Sequence, residues 1–396
     1  MPSSPAAPCI GLMSGTSLDG VDGVLIDFGA TSDCGGPRVL ASHGLPLPAP
    51  LRAELLALNA SGPDELHRAA VAAHQLTRIY AEVVAGLLAA SRLPARAVLA
   101  IGAHGQTVRH HPPGARLRGR RVDANDRDFP PYTLQLLQPA LLAELSGIAV
   151  VADLRSRDIA AGGQGAPLVP AFHRQAFSRA NRSVAVVNIG GIANVTALPA
   201  DGRVLGLDTG PGNMLLDLWC LRHTGQSYDR NGAWGASGRT DPALLQRLLE
   251  EPYFAQVGIK STGRDLFSAA WLDGQLAAQQ ENAPALTAAD VQATLLELTA
   301  RSIANSLRAL PWGGQPLSEL LVCGGGAHNA ALMKALQSAL PDCPVLTTAE
   351  RGWPVDQVEA AAFAWLAWQT LQGRPGNLSA VTGAAGSRIL GAIYPA

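Results

Sequence analysis

The sequence predicts a duplicated α/β fold of two domains, and three observations lead to this prediction. The chain has 396 residues, more than one ordinary hydrophobic core accommodates. Glycine-bearing hairpins are predicted around Met13–Asp22 and over Val184–Leu198, about half a chain apart. Each hairpin begins a run of strands followed by helices, which is the order expected of an α/β unit that occurs twice.

The first hairpin has a loop rich in glycine, hydroxyl and carboxylate groups. Its strands are predicted at Cys9–Leu12 and Val21–Phe28, and Met13–Asp22 reads M-S-G-T-S-L-D-G-V-D. Glycine lets backbone N–H groups approach an anion, and carboxylates beside such a site suit a hydrated divalent cation. The loop therefore predicts a site for a nucleotide and magnesium, although an ordinary polar turn would use the same residue types.

Helices and strands are predicted from apolar spacing through the first half of the chain. Pro112–Pro131 is rich in arginine, glycine and proline and is predicted to be an exposed loop. The predicted helices are Leu51–Leu58, Asp64–Leu88 and Pro139–Ser146, and the predicted strands are Val98–Gly102 and Ile148–Ala152.

Three further glycine turns follow strands in the second half of the chain. Gly190-Gly191 joins the two strands of the second hairpin, a preferred two-residue connection. The turn Asp208–Asn213 follows a strand at Val204–Leu207, and Gly324–Asn329 opens a helix over Ala330–Leu340. Each could be a tight turn only. Together with the first loop they favour a nucleotide bound between the two halves.

Charge and cysteine usage exclude several classes of protein. The formal net charge of −1 gives no basic surface for nucleic acid and no membrane-directed basic run. The five cysteines are scattered and odd in number, so they predict neither a disulfide framework nor a zinc site. No G-x-x-x-x-G-K-[ST] is present, which excludes a P-loop enzyme. A soluble, cytoplasmic protein is expected.

Six motifs run along nearly the whole chain, from Ile10 to Pro395. They are G-L-M-S-G-T-S-L-D-G-V-D, A-H-G-Q-T, D-L-R-S-R-D-I-A-A-G-G-Q-G-A-P-L-V-P, N-I-G-G-I-A-N-V-T, L-D-T-G-P-G-N and V-C-G-G-G-A-H-N. Together they closely resemble the anhydro-N-acetylmuramic acid kinases. The resemblance implies the fold of actin, sugar kinases and heat-shock chaperone ATPases, with ATP in the cleft between domains 1–151 plus 376–396 and 152–375. It also implies Mg²⁺, a homodimer and a bacterial role in cell-wall recycling.

The resemblance implies a reaction that joins two chemistries. Water opens the internal acetal of 1,6-anhydro-N-acetylmuramic acid at the anomeric carbon, and the released 6-oxygen takes the γ-phosphoryl group of ATP. Asp208, at the end of a predicted strand and just before two glycines, matches the family's catalytic aspartate and is the candidate base. An N-cap or turn residue is the alternative reading of Asp208. Glu359, a lone acid on an apolar helix over Val355–Trp368, resembles a family glutamate that assists the site.

The resemblance also implies contacts with the two substrates. Arg157 is suited to the lactyl carboxylate of the sugar because its fork donates two parallel hydrogen bonds. An ion pair is an equally good interpretation of Asp153 and Arg155, and Lys260 receives no role. The sugar-binding candidates are His104, Gln106, Thr107, Arg157 and Asp158. The ATP-binding candidates are Gly15, Thr16, Ser17, Leu18, Asp19, Gly20, Val21, Asp22, Gly190, Gly191, Gly324, Gly325 and Gly326, with Asp19 expected to hold Mg²⁺ through water.

One segment departs from the family pattern. Leu137-Gln138 stands where relatives have Gly-Asn, and the preceding link is expanded by Arg116–Arg127. The change puts a backbone contact of that turn, and the fit of the sugar, in question. Two other functions stay open at this point: a kinase of the same fold acting on another sugar, and an ATP-driven conformational switch.

Overall fold

Contacts between residues divide the chain into two units, Met1–Ala176 with Gln357–Ala396 and Phe177–Asp356. The computed structural model describes residues 8–15, 17–31, 37–117, 120–121, 130–256, 258, 260, 262–263, 266–280 and 286–396. The domain bounds 1–151 plus 376–396 and 152–375 stay a prediction.

The described residues form an α/β protein. In chain order, its strands are β1 (Pro8–Met13), β2 (Gly20–Thr31), β3 (Pro37–Pro46), β4 (Ala100–Ala103), β5 (Gln106–His111), β6 (Arg116–Leu117), β7 (Arg120–Arg121), β8 (Tyr132–Leu136), β9 (Val150–Ala152), β10 (Ser183–Ile189), β11 (Ile192–Leu198), β12 (Leu205–Pro211), β13 (Leu317–Cys323), β14 (Val345–Thr347) and β15 (Ala392–Tyr394). Its α-helices are α1 (Ala49–Ala57), α2 (Glu65–Ser91), α3 (Pro139–Ser146), α4 (Ser156–Ala160), α5 (Val169–Phe177), α6 (Met214–Thr224), α7 (Ala233–Ser237), α8 (Pro242–Leu249), α9 (Pro252–Ala255), α10 (Ala269–Gln280), α11 (Ala288–Ala309), α12 (Ala330–Ala339), α13 (Val358–Leu371) and α14 (Ser379–Thr382).

Five strands of each sheet follow the same order, and the first sheet has one more strand, β15, beside β9. The first sheet runs β15-β9-β4-β1-β2-β3 and the second runs β12-β11-β10-β13-β14. In each, three consecutive antiparallel strands (β1-β2-β3 and β10-β11-β12) are joined to two parallel ones (β4 and β9, β13 and β14). Because order and direction repeat, the predicted duplication of an α/β unit is confirmed.

Both predicted hairpins are present. Register pairs Met13 with Asp22 across β1 and β2, and Ile189 with Ala193 across β10 and β11. The predicted exposed loop at Pro112–Pro131 is wrong in part, because Arg116–Leu117 pairs with Arg120–Arg121. Most of the Arg116–Arg127 expansion lies outside the described residues.

Helix α13 crosses the first sheet at unusually short range. A β-carbon built on Gly11 of β1 would lie 1.8 Å from the carbonyl oxygen of Ala360, and one built on Gly102 of β4 would lie 2.0 Å from that of Phe363. Helix α2 covers the opposite face, where a β-carbon on Gly23 would meet Val83. The glycines therefore let α13, which carries Glu359, rest on the strands that precede the candidate site residues.

We expect Gly102→Ala to lower the stability of the folded state by about 1–3 kcal/mol, the usual cost of overpacking a core. The new methyl group meets backbone of α13, which has no rotamer to change. Urea unfolding followed by circular dichroism measures the effect. Gly274→Ala in α10 is the matched control, because nothing lies within 4 Å of its β-carbon position. That control should gain up to ~1 kcal/mol, and equal stability of Gly102→Ala and wild type would contradict the close crossing.

No helix in the described part of the chain is both long enough and apolar enough to span a lipid bilayer.

Candidate active site

The loop between β1 and β2 combines buried anchors with an open backbone. Leu18 is 4% exposed and Val21 is fully buried, so these two side chains belong to the core of the first unit. Leu18 has a φ of +59° and its N–H donates to the carbonyl of Gly15 over 3.2 Å. A β-carbon on Gly15 would meet only Ser17 Oγ, at 3.8 Å. The space at Gly15 suits a bound anion. Thr16 lies outside the described residues.

The carboxylates of this loop are exposed. Asp19 is 73% exposed and lies 3.7 Å from Arg52, and Asp22 is also exposed. Gly20 lies against β3, where a β-carbon would be 2.6 Å from the carbonyl oxygen of Leu45. Among the described residues, no group of three histidine, cysteine or acidic side chains could hold a metal ion. The exposed carboxylates of Asp19 and Asp22 are of the type that can contact a hydrated cation through water.

The second unit brings its glycine turns together. The carbonyls of Gly190 and Gly191 accept from the N–H groups of Asn213 and Gly212, over 2.8 and 2.9 Å. The Asn213 side chain donates to the carbonyl of Ile189 over 3.1 Å and lies 3.4 Å from the β-carbon position of Gly325.

Gly324–Gly326 reach the same place from β13. A β-carbon on Gly324 would lie 2.2 Å from Asn188 Oδ1, and one on Gly326 would lie 2.4 Å from Ile189. The predicted ATP-binding glycines Gly190, Gly191, Gly324, Gly325 and Gly326 thus meet at the ends of β10 and β13. Asn213 joins them and was not among the candidates, although it closes the motif D-T-G-P-G-N.

Asp208 lies within β12, which runs on to Pro211, so the prediction that the strand ends at Leu207 is wrong. Pairing with β11 continues past Asp208 through a bulge in β12, where Thr209 is the extra residue opposite Ala193–Asn194. Asp208 Oδ2 accepts from the Thr262 N–H over 3.0 Å, and the Asp208 N–H donates to the carbonyl of Lys260 over 3.0 Å. The half-buried carboxylate is therefore oriented by one backbone segment.

Lys260 supports that segment. Its Nζ donates to the carbonyls of Tyr253 and Phe254, over 3.2 and 3.4 Å, and lies 4.6 Å from the centre of the Tyr253 ring. Burial lowers the pKa of Lys260. The Tyr253 hydroxyl in turn donates to the carbonyl of Asp208 over 2.7 Å. Through these contacts Lys260 lies beside Asp208 and has a structural role there.

The sugar-side candidates that follow β4 or lie in β5 are mostly buried. His104 is 6% exposed and Gln106 is 2% exposed, and Gln106 Oε1 has no hydrogen-bond partner within the described ranges. Thr107 Oγ1 accepts from Gln135 over 3.1 Å. A buried amide oxygen without a partner is costly and fits a position that a ligand completes.

The segment D-L-R-S-R-D separates its residues between the interior and solvent. Asp158 is fully buried; its Oδ1 accepts from Asn377 and Thr382, over 2.6 and 2.7 Å, and its Oδ2 accepts from the Gly165 N–H over 2.8 Å. Arg157 is exposed. Asp158 therefore ties the glycine turn after α4 to the C-terminal segment, whereas Arg157 is available to a ligand.

Arg155 is the residue of this segment that reasoning from the sequence missed. Its Nε donates to His104 over 3.0 Å and its Nη1 donates to the carbonyl of Gly165 over 2.8 Å. Burial lowers the pKa of Arg155 to about 10, and the charges of Glu359 and Asp158 act against that shift. The first unit therefore joins His104, Arg155, Asp158 and Glu359 in one electrostatic group. The sequence does not distinguish Arg155 from Arg157. Only the fold shows which of them contacts His104.

The departure at Leu137-Gln138 is accommodated by α2. The Gln138 N–H donates to Thr77 Oγ1 over 3.0 Å, and Gln138 Oε1 lies 3.2 Å from His74 Nδ1. Leu137 packs against the core of the first unit, and a β-carbon on Gly105 would lie 3.2 Å from it. The turn is thus anchored by side chains.

Comparisons with known proteins agree over the full length. A family profile described as anhydro-N-acetylmuramic acid kinase matches residues 7–396. The protein of that name from Variovorax paradoxus (strain S110) is 55% identical over 392 residues, 98% of each chain. The one from Bordetella petrii (strain ATCC BAA-461 / DSM 12804 / CCUG 43448) is 54% identical over 395 residues, 100% of this chain and 98% of the relative. Among solved structures, xylulose kinase from Rhodospirillum rubrum aligns with 91% of this chain and 89% of its own, at 13% identity and a TM-score of 0.46.

Proposed function

The chain belongs to the anhydro-N-acetylmuramic acid kinase family and is an ATP-dependent kinase of that sugar, and we propose how its residues divide the reaction. The full-length match, with relatives above half identity, carries the assignment. The substrate is 1,6-anhydro-N-acetylmuramic acid and the products are N-acetylmuramic acid 6-phosphate and ADP. This places the enzyme in amino-sugar recycling.

The reaction breaks one bond of the sugar and one of ATP. A water oxygen attacks the anomeric carbon, the bond from that carbon to the 6-oxygen breaks, and the 6-oxygen takes the γ-phosphoryl group. One proton leaves the water. The phosphoryl group takes the place of the general acid that glycoside cleavage ordinarily requires, because it captures the departing alkoxide.

Asp208 is the proposed base that receives the proton of the water. The N–H of Thr262 holds one of its oxygens, and Tyr253 and Lys260 hold its backbone. Because its backbone and one of its carboxylate oxygens are held, the side chain keeps one orientation. General-base catalysis needs such a fixed orientation toward the water.

The sugar is proposed to bind on the side of His104, Gln106, Thr107 and Arg157. The exposed guanidinium of Arg157 suits the lactyl carboxylate, and the buried polar groups of His104 and Gln106 suit neutral oxygen and nitrogen atoms. Glu359 assists from α13 through its charge on Arg155. Asp158 is proposed to support this side indirectly, since its carboxylate accepts from Gly165, Asn377 and Thr382.

ATP is proposed to bind through backbone groups of the three glycine turns. Gly15 offers the open position in the first unit, and Gly190–Gly191 and Gly324–Gly326 form the glycine surface of the second. Mg²⁺, when bound, would neutralise charge on the phosphates, with Asp19 and Asp22 the residues that would hold it through water. We further infer a homodimer and a cytoplasmic location, and light scattering of the purified protein tests the former.

Product analysis tests the function. The protein is incubated with Mg-ATP and the anhydro sugar, and we expect a phosphorylated reducing sugar and ADP in equal amounts. Phosphate transfer to a sugar with a free 6-hydroxyl, and none to the anhydro sugar, would favour a kinase of the same fold that acts on another sugar. ATP hydrolysis without any sugar product would favour the conformational switch.

A further inference from the structure

Asp153 occupies a strained backbone position in the first unit. It is exposed and directly follows β9, between Ala152 and Leu154, which are each 3% exposed. Its φ is +55°, in the left-handed region that residues other than glycine seldom adopt. A glycine would meet this backbone requirement without strain. Because strained residues cluster at functional sites, a carboxylate here indicates a role beyond the turn.

Two structural roles do not account for the Asp153 carboxylate. Its Oδ1 accepts from Ser156 Oγ in an exposed hydrogen bond. Asp153 does not cap α4, because the N-cap is Arg155 and that end of the helix has no side-chain cap. Within the described ranges, no basic side chain forms an ion pair with Asp153 and no group donates to its Oδ2. One carboxylate oxygen is therefore available to a ligand.

The strand register places Asp153 beside the candidates for sugar binding. Strands β4 and β9 are parallel and pair Gly102 with Val151, and this register, continued for two residues, brings His104 opposite Asp153. The segment after β9 contacts the same place, because Arg155 Nε donates to His104 over 3.0 Å. Ligands of open α/β sheets bind at the carboxyl ends of the parallel strands. Asp153 therefore lies at the edge of the sheet where a ligand is expected.

Asp158, the other aspartate of the segment D-L-R-S-R-D, is committed to the protein. It is fully buried, and its two oxygens accept from three protein groups over 2.6–2.8 Å. In contrast, Asp153 and Arg157 are both exposed. The segment therefore offers one carboxylate and one guanidinium to a ligand, and the carboxylate is that of Asp153.

The anhydro sugar has few hydrogen-bond donors. Carbons 1 and 6 share the bridging oxygen and carbon 3 carries the lactyl group, so its donors are the hydroxyl at carbon 4 and the amide N–H. Arg157 suits the lactyl carboxylate, and the buried Oε1 of Gln106 suits the amide N–H. A carboxylate only accepts, and a hydroxyl rotates to suit its acceptor. The free hydroxyl is therefore the group that matches Asp153.

We propose that Asp153 is a sugar-binding residue whose carboxylate accepts a hydrogen bond from the hydroxyl at carbon 4, an inference that rests on the proposed function. Because the acceptor is charged, this hydrogen bond contributes more than a neutral one. It also gives selectivity, since a sugar substituted at that oxygen has no proton to donate and leaves the carboxylate without a partner. The enzyme thereby accepts the free anhydro sugar and discriminates against one that carries a substituent at carbon 4.

Calorimetry without ATP tests the inference with two sugars, 1,6-anhydro-N-acetylmuramic acid and its 4-deoxy analogue. Wild type should bind the analogue about tenfold more weakly, the loss of one hydrogen bond to a charged group. Asp153→Gly should bind the natural sugar about tenfold more weakly than wild type does, yet bind the analogue within about twofold of wild type. Asp153→Asn, which keeps an oxygen for Ser156, should lie between wild type and Asp153→Gly.

Asp64→Gly is the matched control. Asp64 is an exposed aspartate of the same unit, with a φ of +52°, and it directly precedes α2. Both glycine substitutions relieve the same backbone strain, so neither should lower the melting temperature. Asp64→Gly should bind both sugars as wild type does. Asp153→Asn keeps the inference testable if Asp153→Gly does not fold, because asparagine also tolerates the left-handed region.

The outcomes distinguish the inference from the proposed function. Unchanged binding of the natural sugar in Asp153→Gly would overturn the inference, and so would equal losses for the two sugars, which would assign Asp153 to structure alone. Equal affinity of wild type for the two sugars would overturn it as well. In each of these cases wild type still binds the anhydro sugar, so the proposed function stands. Absence of binding of the anhydro sugar to wild type would reject the proposed function, and the inference with it.

Discussion

Asp208→Asn is expected to lower kcat by about 10²–10⁴-fold, the range typical of losing a general base. The amide does not accept the proton of the attacking water, yet its oxygen can still accept from the Thr262 N–H that orients Asp208. The fold and ATP binding should therefore be retained. Steady-state rates of ADP and sugar phosphate formation, with calorimetry for ATP, measure both parts.

Asp201→Asn is the matched control for this substitution. Asp201 lies shortly before β12 in the same unit, and its partner is Arg203 in an exposed ion pair of 2.8 Å. Exposed ion pairs contribute little to stability, so the control should keep the wild-type rate. A near-wild-type kcat in Asp208→Asn would remove Asp208 from the mechanism.

Gly15→Val is expected to weaken Mg-ATP binding by about 10–100-fold. Hydrogen bonds to charged groups contribute about 1.5–3 kcal/mol each, and a branched side chain at Gly15 would keep phosphate from the backbone N–H groups. The free protein has room for a β-carbon at this position, where Ser17 Oγ at 3.8 Å is the nearest atom beyond the neighbouring residues, so we expect the melting temperature to change little. Calorimetry and thermal unfolding measure the two effects.

Asp19→Ala tests the metal side of the same loop. The carboxylate is 73% exposed and its contact with Arg52 is 3.7 Å long, so its removal should leave the fold intact. We expect weaker binding of Mg-ATP and a higher Mg²⁺ requirement. Unchanged Mg-ATP affinity in both variants would assign the loop to structure alone.

The fold was largely predictable because its signals are local. Alternating apolar residues, glycine turns and their spacing predicted both hairpins, and α3 was predicted with its bounds, Pro139–Ser146, as observed. The end of β12 was not predictable, since a bulge at Thr209 carries its pairing with β11 past Asp208. Such a bulge depends on how two strands pair, and the sequence of either strand alone does not indicate it.

The candidate site was predictable in its residue types and less so in their arrangement. Glycine-rich turns at strand ends indicated where phosphate could approach. In contrast, D-L-R-S-R-D does not reveal which side chains face inward. The direction in which α4 leaves β9 buries Asp158, exposes Arg157 and directs Arg155 to His104, a residue 51 positions earlier. Contacts of this range depend on the assembled sheet.

Oxygen labelling tests the central claim most directly, that water opens the sugar while the 6-oxygen takes the phosphoryl group. The reaction is run in ¹⁸O-labelled water and sampled early, before exchange through the open-chain sugar. We expect label on the new anomeric hydroxyl, none in the transferred phosphate, and a first product anomer inverted relative to the anhydro substrate. ATP consumption should match ring opening. Label in the sugar phosphate group, or ring opening that proceeds equally well without ATP, would contradict the coupled reaction.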